Sequence, residues 1–199
     1  FEYTDVPAKR LALGYRNENG RWVSQPLLHD GIYGAMGGML STVEDFSRYI
    51  RFHLSAWPPS DKKESGPVKR SYVREMHHPW NIPAVNMNFS FDGKNVCPAV
   101  GAYGYGLRWV KDCKGRVFVG HSGGLPGYGS NWQIMPDYGI GIVSFSNMTY
   151  ASTTGINMAV LDALLTTSRL SPRIPEVSPV LQLRKTELLR FLPDWNGAE

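Results

Sequence analysis

Residues 103–146 read YGYGLRWVKDCKGRVFVGHSGGLPGYGSNWQIMPDYGIGIVSFS, and this stretch decides the fold. Apolar runs of strand length alternate in it with glycine- and proline-bearing turns. Residues 105–111 and 116–121 flank Asp112-Cys113-Lys114-Gly115, while 130–135 and 140–146 flank Pro136-Asp137-Tyr138-Gly139. Glycine reaches the positive φ that tight turns need and proline pre-sets the first turn position, so both segments read as hairpins. The stretch predicts three or four consecutive antiparallel strands in one contiguous sheet.

Helical spacing lies on both sides of it. Downstream, Ile156, Ala159, Val160, Ala163 and Leu164 recur at three- and four-residue intervals behind Thr153 or Thr154 as N-cap, a helix over 156–165 that packs on one sheet face. Upstream, Ser41-Thr42-Val43-Glu44 matches a capping box, in which each end satisfies a free amide of the other. Val43, Phe46, Ile50 and Leu54 then form one apolar stripe until Trp57-Pro58-Pro59 stops the helix. Val68, Tyr72, Val73 and Met76 give a shorter helix ending before Pro79. Asn17-Glu18-Asn19-Gly20, between the runs 11–15 and 21–23, signals a small hairpin. Together these assign an α+β fold, an antiparallel β-sheet with packed helices.

Composition bounds the function classes. The 199 residues are 42% hydrophobic and 19% charged, a balance that can bury a core without disulfide or metal staples. The longest apolar runs, such as 140–145, are far shorter than the roughly 18 residues of a membrane span. The net charge of +4 raises nucleic acid as a partner. Against it, Lys62, Lys63, Lys69 and Arg70 are interleaved with Asp61 and Glu64, and Arg184-Lys185 stands alone, so these charges read as solvated surface. No nucleic-acid partner is expected. His77, His78, Cys97, Cys113 and His121 supply zinc-ligand chemistry but match no compact zinc spacing, so no metal or cofactor is expected. Cys97 and Cys113 are compatible with one disulfide or with two free thiols.

His121-Ser122-Gly123-Gly124 at the end of a strand is the sharpest local feature. Its context is the run Tyr105-Gly106-Leu107-Arg108-Trp109 before it, Leu125-Pro126-Gly127-Tyr128 after it, and Gly139-Ile140-Gly141-Ile142-Val143 ending in Ser146-Asn147. This succession resembles the C-terminal sheet of the serine beta-lactamase and penicillin-binding-protein superfamily, in its class C beta-lactamase, D-aminopeptidase and esterase branch. The segment Ala35-Met36-Gly37-Gly38-Met39-Leu40-Ser41-Thr42-Val43-Glu44-Asp45-Phe46 is similar to a glycine turn and helix start of the same branch. The resemblance covers residues 10–168.

The resemblance implies acyl-enzyme chemistry, in which an activated serine attacks an amide, ester or β-lactam carbonyl. His121-Ser122-Gly123 matches the third motif of the superfamily. Carried over, His121 sets the field at the proton relay and meets a substrate anion, and Ser122 offers a hydroxyl. Gly123 lets the backbone approach, and the Gly124 amide donates to the oxyanion hole. Gly37 and Tyr128 complete the implied substrate-facing set. The first two motifs find no convincing match. Ser60-Asp61-Lys62-Lys63 is the only Ser-x-x-Lys and sits in a polar loop after Pro58-Pro59, and Tyr15-Arg16-Asn17 precedes a turn.

The reading is therefore of a partial fold lacking its N-terminal portion, with 1–170 the C-terminal part of a hydrolase domain whose nucleophile lies upstream of Phe1. Residues 171–179, SPRIPEVSP, read as an extended linker followed by a short helix over 181–192, and 171–199 resembles the lead into an appended domain. An open apolar sheet edge or face is expected, covered by the N-terminal half of the same domain or by self-association. The implied substrate is a small-molecule or peptide acyl compound, and the implied setting is that of an exported bacterial protein. The competing reading is a non-catalytic binding module on the same scaffold.

Overall fold

The computed structural model describes residues 6–28, 31–60, 62–168, 170–173 and 179–190. A two-stranded hairpin comes first, β1 (Gly14–Glu18) and β2 (Arg21–Gln25). Asn19 and Gly20 between them both take positive φ, 51° and 85°, the conformation that matches the twist of a two-residue hairpin. A short helix α1 (Gly34–Gly37) and the longer α2 (Val43–Leu54) and α3 (Arg70–Met76) follow. Six strands then form one antiparallel sheet in chain order: β3 (Asn81–Asn86), β4 (Ala99–Tyr103), β5 (Arg108–Asp112), β6 (Val117–Leu125), β7 (Tyr128–Met135) and β8 (Ile140–Ser146). Helices α4 (Thr153–Thr167) and α5 (Pro179–Leu189) close the described chain. The fold is α+β, as the hydropathy pattern requires.

Strand alternation splits the core into two layers. Trp132, Ile134 and Val119 pack with Phe46 and Ile50 of α2, whereas Phe118 and Met135, of opposite parity, pack with Phe91 and with Leu161 of α4. Gly141 is what lets α2 approach β8, because a Cβ there would stand 2.5 Å from Ile50 Cγ2 and 3.0 Å from Ile134 Cγ2. On the far side of the sheet the β5–β6 turn is locked from within. The buried Asp112 carboxylate accepts from the Lys114 and Arg116 amides and from the Arg116 guanidinium, which lies 4.2 Å from the Phe91 ring centroid. Cys97 and Cys113 form a disulfide, tying the segment before β4 to that turn.

Several boundaries differ from the sequence expectation, each for a local reason. The cap of α2 is Thr42, whose Oγ1 accepts from the Asp45 amide at 3.1 Å, one residue beyond the Ser41…Glu44 box. This register turns Phe46 and Ile50 inward. The N-cap of α4 is Ser152, with no side-chain cap bond, and Thr153 and Thr154 are its first helical residues. β5 begins at Arg108, not 105, because Gly104–Leu107 makes a turn with Gly106 at φ 72°. β6 runs on to Leu125, so His121-Ser122-Gly123-Gly124 lies within a strand. A two-residue turn at Pro126-Gly127, with Gly127 at φ 88°, allows β7 to pair all the way back to Tyr128. β3 and β4 escape the hydropathy pattern, since Pro83 and Pro98 interrupt their runs. The final helix spans Pro179–Leu189, and the rest of its expected range, 191–192, lies outside the described residues, as do 174–178 of the linker.

Candidate functional site

β6 is long relative to β5. Only Val117–Gly120 pairs with β5, ending at Arg108 opposite Gly120, while β7 pairs with β6 from Val119 through Leu125. Alternate peptide groups of residues 121–125 therefore face an edge that β5 leaves open. Such an edge offers backbone donors and acceptors to an extended ligand.

The side chains along this edge are small or polar. A cleft of about 330 Å³ is lined by Ser122, Gly123 and Gly124 of β6, Ser130 of β7, Arg108 of β5, and Tyr150 and Thr154 at the approach to α4. A Cβ at Gly124 would run into the Tyr150 ring, so the glycine lets that ring lie against the strand. Arg108 brings a full positive charge with no acidic partner among the described residues. His121, the residue before Ser122 on β6, is half-buried, and its two ring nitrogens are spoken for. Nδ1 lies 2.7 Å from the Ser122 carbonyl, which can only accept, so Nδ1 carries the proton. Nε2 is then the acceptor for the Tyr103 hydroxyl at 3.0 Å.

Behind the edge is a buried amide ladder. Asn157 of α4 donates to the Asn131 carbonyl and Oδ1, at 3.0 and 2.7 Å, and Asn131 Nδ2 donates to the His121 carbonyl at 3.4 Å. α4 is thus keyed to the strand that carries His121. Of the residues expected at the site, Ser122, Gly123 and Gly124 line one cleft with His121 beside it. Gly37 and Tyr128 are not among the residues lining this cleft. Gly37 packs on Leu125, and the Tyr128 hydroxyl donates to the Ala12 carbonyl at 2.7 Å, part of the seam that fastens the β1–β2 hairpin. Ser60 is a loop residue whose Oγ accepts from Arg70.

Tyr103, Arg108, Tyr150 and Asn131 were not marked by sequence reading. Arg108 had a usable signal: the register set by the Asp112–Gly115 turn puts it across from Gly120, two residues before Ser122. Tyr103 had none, because it ends β4, a strand the hydropathy pattern does not show, and Tyr150 had none, because it lies in the turn between β8 and α4.

A second titratable group is fully enclosed under α2. Trp57 Nε1 donates to His77 Nδ1 at 2.9 Å, so His77 keeps its proton on Nε2 and donates it to His53 Nδ1 at 2.8 Å. The His53 proton is left on Nε2, buried and unpartnered. Burial pushes the His53 pKa down to about 4 and, together with the neighbouring His53, that of His77 down to about 3. Among the described residues no cluster of three His, Cys, Asp or Glu side chains could hold a metal, and no helix is long and apolar enough to cross a membrane.

The beta-lactamase family model matches residues 2–166. The chain belongs to the beta-lactamase family. Among solved structures, this family member is similar to the octameric penicillin-binding protein homologue from Pyrococcus abyssi, at 28% identity and a TM-score of 0.59 over 78% of this chain. It is also matched to a D-stereospecific amidohydrolase from Streptomyces sp., at 22% identity and a TM-score of 0.48 over 74% of this chain. The chain spans 31% and 38% of the lengths of those two proteins. No curated protein matches it. The family is of serine-hydrolase type, and within it this chain is a partial-length domain.

Proposed function

We propose that this beta-lactamase-family chain forms the substrate-facing wall of a serine acyl-hydrolase acting on an amide, ester or β-lactam, with the nucleophile supplied by polypeptide outside residues 1–199. The observation that carries the reading is the open edge of β6 beyond Gly120, where glycine, hydroxyl and cationic groups converge on one cleft. An acyl group laid along that edge meets backbone donors. The Gly124 amide is the assigned oxyanion donor, a role worth about 2.7 to 4 kcal/mol when donors are aimed at developing charge. Arg108 and the Ser122 hydroxyl suit a carboxylate on the substrate, which a guanidinium binds through paired hydrogen bonds. His121, held by Tyr103, is the group nearest a proton relay.

The enclosing half of the site comes from the N-terminal part of the same domain or from another copy. The short span relative to the solved relatives supports the first, and the octameric state named for the Pyrococcus protein supports the second. The Cys97–Cys113 bridge favours an oxidising compartment outside the cytosol. The test is covalent labelling. Chain 1–199 is expected to stay unlabelled by a fluorescent penicillin or fluorophosphonate, and the full gene product to take one label per site. Stoichiometric labelling of a serine in 1–199, or a full product that never labels, defeats the reading, the latter in favour of a binding module.

A further inference from the structure

The backbone of Tyr150 sits in the left-handed region at φ 50°, which a bulky side chain seldom adopts and glycine reaches freely. The bend is imposed from both sides. The Thr149 amide donates to the Tyr15 carbonyl at 2.8 Å, and the Tyr150 and Ala151 amides donate to the Tyr128 and Met148 carbonyls, both at 3.2 Å. The core does not need the ring, because 70% of the residue's surface is open. Strain that neither turn nor core requires is characteristic of residues that touch a ligand.

The Tyr150 atoms nearest a Cβ built at Gly124 are Cδ1 and Cε1, so one edge of the ring abuts β6. Residues two apart on a strand share a face, and directly paired residues share it too. Gly120, its partner Arg108, Ser122 and Gly124 therefore lie on one face of the sheet, and the ring stands on that same face. Arg108 and Tyr150 both line the cleft. The four-residue step from Gly120 to Gly124 spans about 13 Å of strand. Arg108 enters that span from one end and Tyr150 from the other, and a cleft of about 330 Å³ is at the small end for ligand sites, the size for a single-ring compound.

We propose that Tyr150 is a specificity-determining residue: its ring takes the aryl group of a ligand whose carboxylate is held at Arg108, so the cleft selects arylalkanoate units over plain aliphatic ones. Aromatic rings gain on one another beyond the area they bury, which an alkyl chain against the same ring does not. The guanidinium fixes the other end of the ligand through paired hydrogen bonds. This rests on the hydrolase reading and names the carboxylate-bearing part of its substrate. Binding itself needs no nucleophile, so the chain alone can be tested.

The experiment compares 3-phenylpropanoate with propanoate, two acids that differ only by the ring, titrated into isotope-labelled chain 1–199 at neutral pH and followed by NMR shifts. The parent is expected to bind the aryl acid roughly tenfold more tightly. Tyr150→Gly should erase that preference while melting close to the parent, because glycine occupies the left-handed backbone without strain. Tyr150→Phe should keep it, and Arg108→Gln should weaken both acids alike. A parent without the preference overturns the proposal, as does a preference that survives Tyr150→Gly or binding that Arg108→Gln leaves untouched. A Tyr150→Gly chain that melts well below the parent makes the tyrosine a packing residue and overturns it too. The hydrolase reading fails separately: a full gene product that never takes a covalent label defeats that reading with the aryl preference intact, whereas a lost preference in a product that labels defeats only the role of Tyr150.

Discussion

Residues 117–120 of β6 pair with β5, and Val119 and Gly120 also with β7, whereas 121–125 pair with β7 alone. The first part sends Phe118 and Val119 into the two core layers, both nearly inaccessible to solvent. The second carries Ser122 and two glycines against an open cleft, next in the strand to His121. One strand thus serves as core over half its length and as an open edge over the other. The contrast teaches that the buried half sets the position of the open half: an edge without a neighbouring strand on one side is held by its own buried continuation and by the Asn157–Asn131 ladder from α4.

The comparison is broken most directly in the buried half. Phe118→Ala empties a core position shared with Met135 and Leu161, and a loss of about 3 to 5 kcal/mol is expected from denaturant unfolding. A loss under about 1 kcal/mol would show that this half is not the anchor. In the open half the effect should move to chemistry. In the protein carrying its nucleophile, His121→Ala is expected to lower kcat/KM for an ester by roughly 10- to 1000-fold with the melting temperature little changed. Unaltered kinetics in a well-folded variant would remove His121 from the site.

The helix covering the buried half gives two finer tests. His53 and His77 are neutral in the folded protein, with pKa values near 4 and 3, while the unfolded chain binds their protons near the ordinary value of 6.5. Stability from this pair is therefore complete above pH 6.5 and is lost as the pH falls toward the folded values. The slope is up to about 1.4 kcal/mol per pH unit for each proton. Urea titrations between pH 6.5 and 5, where most carboxylates stay ionised, should show it; a flat profile there would contradict the enclosed network. Last, Thr42→Ala should cost about 0.5 to 2 kcal/mol by uncapping α2. Ser41→Ala should cost almost nothing, and equal losses at both positions would restore the capping box read from the sequence.

Much of this was legible beforehand. The stripe Val43, Phe46, Ile50, Leu54 and the paired turns at 112–115 and 136–139 depend on neighbours three or four residues away, so local sequence reports them well. β3 and β4 were not legible, because Pro83 and Pro98 break their apolar runs and only the pairing of β4 with β5 and of β3 with β4 makes strands of them. The disulfide was undecidable from spacing, since both outcomes suit two cysteines until the turn brings Cys113 beside Cys97.

The sequence by itself determined the α+β class, the order of hairpins and helices, and the motif His121-Ser122-Gly123-Gly124, because periodicity and turn chemistry are written in adjacent residues. Only the tertiary structure decided that β5 pairs with β6 no further than Gly120 and leaves the next five residues open, that Tyr103 and Arg108 arrive at that edge, and that the Tyr128 hydroxyl donates to the Ala12 carbonyl. Those facts depend on where strands of unequal length end against one another. That is a property of registers and turns acting together, and no single stretch of chain contains it.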